Sequence, residues 1–240
     1  MSILIRYLKK QSLNNRITTV ISILNRKYVP KAIKGVEIPK RNWKTRLLGV
    51  PTVVDRWLQQ VVSQQLATKF EFDFEEQSYG FRPEKNLHGA VKRSLKNIND
   101  GYQDIVDIDL KGFFNEVQHY KLLQLIYNKV KCPTTLWLVR KWLRAHIRIN
   151  GKLRKRRKGM PQGNPLSPLL SNILLDQLDK YLKSQGLKFV RYADDFSVYT
   201  KSKAEARKIG NQVYLFLKDK LELPSTGKRA GYAGRITLSY

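Results

Sequence analysis

The feature that most restricts the fold is a pair of adjacent carboxylates, Asp194-Asp195, set between two short apolar runs, Phe189 to Tyr192 and Phe196 to Thr200. Each run has the length and the aromatic and β-branched content of a strand. The three residues between them leave room only for a tight reversal, so an antiparallel hairpin with Ala193, Asp194 and Asp195 at its tip is predicted. Adjacent carboxylates at such a tip repel each other, and a bound cation would offset the repulsion. Asp is also a common turn residue, so a solvated hairpin is the plain alternative. A third run, Ile105-Val106-Asp107-Ile108-Asp109-Leu110, alternates like a strand and places two carboxylates on one face. Its apolar residues mark it as central and largely buried.

Phosphoryl transfer to a growing nucleic acid uses two divalent ions roughly 3.5–4 Å apart. Mg²⁺ favours oxygen ligands and retains waters, so two or three carboxylates suffice. Asp194 and Asp195, completed by Asp107 or Asp109, would meet that requirement. Charge points the same way. The 240 residues hold 46 Lys and Arg against 19 Asp and Glu, a net charge of +27. Such a chain repels itself unless a polyanion screens it, and nucleic acid gains affinity by releasing condensed counterions. An anionic membrane is the rival partner, but no apolar run of about 18 residues and no signal-peptide core is present. Cys132 is the sole cysteine, which excludes an internal disulfide and a cysteine-based zinc site. An intracellular location is expected.

The remaining periodicity predicts an α+β chain. One or two short helices lie in residues 1–28. A strand at 36–40 turns at Arg41-Asn42-Trp43 into a second strand, Thr45 to Val50. Helices follow at 55–70, 87–98, 119–129, 134–146, 166–182 and 204–221. Ile147 to Leu153 forms a hairpin around Asn150-Gly151, a favoured tight-turn pair.

Five motifs together resemble the reverse transcriptases of group II introns. Tyr192-Ala193-Asp194-Asp195 is similar to their catalytic box, and Val106 to Phe114 to their first carboxylate motif. In that motif the metal-binding Asp precedes an aromatic by five residues, which fits Asp109 and Phe114. Asp107 has Gly112 at that spacing and is read as a supporting residue. Gly159-Met160-Pro161-Gln162-Gly163-Asn164-Pro165-Leu166-Ser167-Pro168, Ser78-Tyr79-Gly80-Phe81-Arg82-Pro83, and the stretch from Ile38-Pro39-Lys40 through Arg46 to Arg56 resemble three more. The five occur in the family's order across about residues 36–200.

The resemblance implies a right-hand polymerase. Residues 1–103 would supply N-terminal helices, fingers and the finger–palm connection. Residues 104–240 would form a palm whose antiparallel sheet is backed by helices. Fingers and palm interleave, with 78–83 and 159–168 at the junction. Asp109, Asp194 and Asp195 would hold two Mg²⁺ ions, with Mn²⁺ as a substitute. Lys40 and Arg46 would close over the dNTP triphosphate, and Phe114 under its sugar would leave no room for a 2′-hydroxyl. Gln162 suits a contact to template or sugar, and Gly163 lets backbone approach the nascent base pair. Arg82 would bind the template backbone or brace the palm. Lys155, Arg156 and Arg157 belong to a basic stretch, 152–158, suited to template–primer phosphates.

The expected activity is RNA-directed DNA synthesis. Its partners would be dNTPs, an RNA template, intron RNA and a DNA or RNA primer, and a homodimer is allowed. The expected location is the bacterial cytoplasm, in association with RNA or nucleoid. A maturase that binds intron RNA, with or without polymerisation, is the alternative. Reverse transcriptases outside introns are a third class. The resemblance fades after Leu221-Glu222-Leu223. Lys228 is a poorly spaced match to the family's lysine motif, and no residues remain for a thumb, so the chain reads as a truncated piece.

Overall fold

The computed structural model describes residues 13–39, 45–110 and 112–223, excluding the side chains of 13–16 and of Asp109. The hairpin tip at 41–43, Lys40 and Lys228 lie outside the described residues. Two compact units share the chain, one formed by Met1–Lys69 and His119–Ser167, the other by Phe70–Gln118 and Pro168–Tyr240.

In the first unit, α1 (Leu13–Leu24) leads into a hairpin of β1 (Ile33–Pro39) and β2 (Thr45–Val50). Helix α2 (Val53–Phe70) starts at a reciprocal cap, in which the Thr52 hydroxyl accepts from the Asp55 amide at 3.3 Å and donates to its carboxylate. Tyr28 donates to the other carboxylate oxygen, so buried Asp55 has two donors. The predicted helices at 119–129 and 134–146 are α5 (His119–Val130) and α6 (Pro133–Arg144). They pack on each other and bury residues at helical spacing, Leu122 and Ile126 on one, Leu138 and Trp142 on the other. The Asn150-Gly151 hairpin joins β4 (Ile147–Ile149) to β5 (Lys152–Arg154). The two hairpins form one sheet, β2-β1-β4-β5, because Ile33 pairs in parallel with Ile147. Ile33, Ala145, Ile147 and Ile149 form the core beneath that joint.

The second unit is built on an antiparallel sheet, β3 (Asp104–Asp109), β7 (Asp195–Thr200) and β6 (Lys188–Tyr192), in the order β3-β7-β6. Among the described residues strand β7 is central and β3 is an edge strand, although its buried pattern suggested a centre. Helix α3 (Leu87–Asn99), capped by the Asn86 side-chain oxygen, which accepts from the Gly89 amide at 2.8 Å, packs Ala90 against Val190 and Tyr199. Asp195, Ser197 and Tyr199 alternate along that face of β7. Phe189, Phe196, Val198 and Val106 are buried on the opposite face. Helix α7 (Ser167–Ser184) and helix α8 (Lys203–Leu215) complete the unit. The predicted last helix, 204–221, is interrupted: α8 ends at Leu215 and the chain widens into a π turn over Phe216–Lys220. Phe216 stacks on Tyr181 of α7 at 4.4 Å, and Leu217, Leu221 and Leu223 are buried there. The architecture is α+β. No described helix is long and apolar enough to cross a membrane.

Candidate active site

The predicted carboxylate hairpin is present in the second unit. Tyr192 pairs with Asp195, which leaves Ala193 and Asp194 as a two-residue loop. Ala193 has φ 59°, a left-handed conformation that costs a residue with a Cβ about 1–2 kcal/mol. Strand β3 runs antiparallel to β7 and ends at Asp109, opposite Asp195. Facing residues of an antiparallel pair have Cα atoms about 4.5–5.5 Å apart. Asp109, Asp194 and Asp195 are thus brought together by backbone register alone. Asp195 is exposed and Asp194 half-buried. Among the described side chains no group of three His, Cys, Asp or Glu residues is placed to hold a metal ion, and the Asp109 side chain lies outside that set.

Asp107 faces Ser197, whose hydroxyl donates to it. Both line a cleft of about 360 Å³ between α3 and the sheet, with Tyr192 and Asp195 at its edge and Leu87 and Val91 on its wall. Gly112, at φ 71°, starts the short helix α4 (Phe113–Glu116). Phe113 is buried and meets the half-buried Phe114 edge to face at 5.3 Å, so one ring anchors the other.

Arg82 belongs to the same unit. Its Nε donates to Glu71 at 2.9 Å, and Nη1 to the Glu75 and Ser78 carbonyls at 2.6 and 2.9 Å. The guanidinium sits 5.4 Å above the Phe74 ring. These contacts tie Arg82 to the 71–78 segment of its own unit.

The Gln162 loop belongs to the first unit. The Gln162 carbonyl accepts from the Gly49 amide at 2.8 Å, so the loop is tied to β2. A Cβ on Gly49 would stand 2.8 Å from the Pro161 Cβ, which only glycine avoids. Gly163 has φ 97° and is exposed. Arg46 is exposed on β2 opposite Ile38. Lys155 and Arg157 are exposed, whereas Arg156 turns inward. Its Nη2 donates to the Leu143 carbonyl at 2.7 Å and to Gly159 at 3.3 Å, and burial pushes its pKa down to about 10. The His119 Nε2 shares Gly159, at 2.6 Å. Arg156 thus holds the start of the glutamine loop.

Sequence reasoning missed Arg191, Asp179 and Asn172. All three are fully buried in the second unit, with Asp179 and Asn172 each bonded to Arg191, whose guanidinium also reaches the Ala193 carbonyl of the turn. The available signal was a polar stripe at helical spacing, Asn172, Asp176 and Asp179, within an otherwise apolar helix.

The family profile described as "Reverse transcriptase (RNA-dependent DNA polymerase)" matches residues 38–224. "Group II intron-encoded protein LtrA" of Lactococcus lactis subsp. cremoris is 38% identical over 165 residues, covering 68% of this chain and 27% of that protein. "Protein YkfC" of Escherichia coli (strain K12) is 34% identical over 170 residues, 69% of this chain and 44% of that protein. The chain therefore spans about a quarter of the first relative and under half of the second. A solved "Partial Cas6-RT-Cas1--Cas2 complex" aligns with a TM-score of 0.46 at 25% identity, covering 91% of this chain and 41% of that one. With the family's carboxylate box on a strained hairpin and a third aspartate set beside it by register, the chain belongs to the reverse transcriptase (RNA-dependent DNA polymerase) family and resembles its group II intron-encoded members.

Proposed function

We propose that the chain carries the polymerising centre of an RNA-directed DNA polymerase of a group II intron-like element. The second unit would serve as palm and the first as fingers. The observation that carries this reading is the register: Asp109 ends β3 opposite Asp195, next to the Ala193-Asp194 turn. An all-oxygen ligand set of three carboxylates at adjoining strand ends fits Mg²⁺, and Mn²⁺ would substitute.

Two bound ions would supply activation of the primer 3′-oxygen and neutralisation of charge on the leaving group. The reaction joins the primer 3′-oxygen to the α-phosphorus of a dNTP, breaks the 3′ O–H and the α–β phosphoanhydride bonds, and releases pyrophosphate and a proton to solvent. Asp109, Asp194 and Asp195 fix the ligand oxygens. Phe114, held by Phe113, bounds the space for the incoming sugar and disfavours a 2′-hydroxyl. Lys40 and Arg46 offset charge growing on the pyrophosphate. Gln162 and Gly163 contribute contacts to template and base pair. Exposed Lys155 and Arg157 contribute to phosphate binding, with Arg156 buttressing their loop and Arg82 bracing its own unit.

The test is dNTP incorporation on an RNA template with a DNA primer by a full-length version that contains the chain, beside its Asp194→Ala, Asp195→Ala double variant. Incorporation by the parent and background for the variant are expected. Equal incorporation by both sinks the assignment. The likeness to a group II intron-encoded protein and the net charge of +27 favour a second role in binding intron RNA. Retention of cognate-intron binding by the same variant would separate that role from polymerisation. Equal affinity for unrelated RNA would exclude specific recognition.

A further inference from the structure

We propose that Arg191, Asp179 and Asn172 are positioning residues that hold the strained turn so that Asp194 and Asp195 stand ready for divalent ions. The inference rests on the carboxylate reading above and adds three residues that touch neither ion nor substrate.

Arg191 and Asp179 are each 0% exposed. The Arg191 Nε lies 2.9 and 3.0 Å from the two Asp179 oxygens, and Nη2 is 2.5 Å from one of them. Desolvating such a pair costs much of what its attraction returns, so the pair is poorly explained as a source of stability. Its remaining bonds show what it holds. Arg191 Nη1 donates to the Ala193 carbonyl at 2.8 Å, the peptide group that leads into Asp194, and to the Asn172 side-chain oxygen at 2.9 Å. The Asn172 amide nitrogen donates to the Gly80 carbonyl at 2.9 Å.

Gly80 closes the other side of the turn. A Cβ there would stand 2.2 Å from the Ala193 nitrogen, a contact that backbone cannot relieve without moving. The Arg191 main chain is pinned as well: its amide donates to the Gln77 carbonyl at 2.9 Å and its carbonyl accepts from the Tyr79 amide at 2.8 Å. Ala193 is therefore fixed at its carbonyl by a guanidinium and at its amide side by glycine backbone. The two main-chain bonds of Arg191 make a parallel bridge with Ser78 and fix the strand that feeds the turn. A non-glycine residue at φ 59° persists where its surroundings over-determine it. Sequence-distant elements, α7 and the 77–80 segment, thereby set the direction of the two carboxylates.

Asn172→Ala is the decisive variant, because it removes the amide's bonds to Arg191 and Gly80 yet leaves the ion pair intact. Three readouts are taken on the full chain: thermal melting, Mn²⁺ binding followed by electron paramagnetic resonance, and kcat and KM for dNTP on an RNA template with a DNA primer. The expected result is a folded protein whose Mn²⁺ half-saturation rises about tenfold and whose kcat falls by a similar factor, the scale of outer-shell substitutions at metal sites, with KM for dNTP little changed. Asp179→Asn should exceed both effects, since it strands a buried guanidinium. Wild-type Mn²⁺ affinity and kcat in folded Asn172→Ala overturn the proposal. So does failure of Asn172→Ala to fold, which would make these bonds general support of the unit. If the parent binds Mn²⁺ but incorporates no dNTP, the polymerase reading fails while the Mn²⁺ comparison still decides this one.

Discussion

Two hairpins among the described residues close through two-residue loops, and they are built on opposite principles. At Asn150-Gly151 both loop residues have positive φ, 48° and 76°, and both are residue types that tolerate it. That turn is self-sufficient. At Ala193-Asp194 the left-handed position is filled by an alanine at 59°. Its own residue type does not favour it, and the turn relies on neighbouring Arg191 together with Asn172 and Gly80 from elsewhere in its unit. The first hairpin carries spread-out positive charge and needs only to exist. The second carries two carboxylates that must point in particular directions, and its strain sits where the chemistry is proposed.

The strongest way to break this contrast is Gly80→Ala. The added methyl meets the Ala193 backbone, so a decrease of about 1–3 kcal/mol in stability is expected. dNTP incorporation should fall at least tenfold at temperatures where the variant remains folded by circular dichroism. Lys155→Ala with Arg157→Ala should weaken RNA binding across sequences, with the slope of log affinity against log salt falling by about 1 for each phosphate that is no longer neutralised. Incorporation at saturating template should hold, and an unchanged salt slope would show that these cations stay clear of phosphate. Asn150→Ala should cost about 1 kcal/mol by thermal melting and leave incorporation unaltered. If it damaged incorporation as Gly80→Ala does, the two turns would not differ in kind.

The smallest effect concerns pH. Burial holds the His119 imidazole below its usual 6.5; the Gly159 carbonyl opposes this, and Arg156 and Arg144 add to it. The folded protein therefore keeps His119 neutral where the unfolded chain binds a proton. Its contribution to stability is full above 6.5 and is lost as pH falls from there through the depressed value. Melting temperature should decline across that window, and the decline should flatten in His119→Gln.

How legible each part was follows the same division. Local patterns placed most helices and strands within a few residues, and both turns were readable because a tight reversal between apolar runs allows little else. Register then delivered Asp109 opposite Asp195. What stayed hidden depended on distant partners. The pairing of Ile33 with Ile147 joins strands with most of a unit between them in sequence. Strand β3 looked central from its apolar residues, yet its burial comes from helix α8 packed on it and from Ile105 packing against the Ala90, Val190 and Tyr199 cluster, not from a second neighbouring strand. Arg156 read as a phosphate-binding cation and Arg191 was not singled out, since nothing in an arginine's neighbours announces a buried carbonyl or carboxylate. The π turn at Phe216–Lys220 follows from where Tyr181 sits, which periodicity does not report.

Everything proposed for the carboxylates turns on one distinction: Asp109, set by register, completes a site with Asp194 and Asp195, while Asp107 supports the strand through Ser197. Single-turnover dNTP incorporation by Asp109→Ala and Asp107→Ala, measured side by side on one RNA template, separates the two roles. For Asp109→Ala the expected drop is about 10³-fold or more, roughly 4 kcal/mol of barrier. For Asp107→Ala it stays within about tenfold, roughly 1.4 kcal/mol. The reverse order, or equal and small drops in both, would contradict the assignment of Asp109 to the metal site.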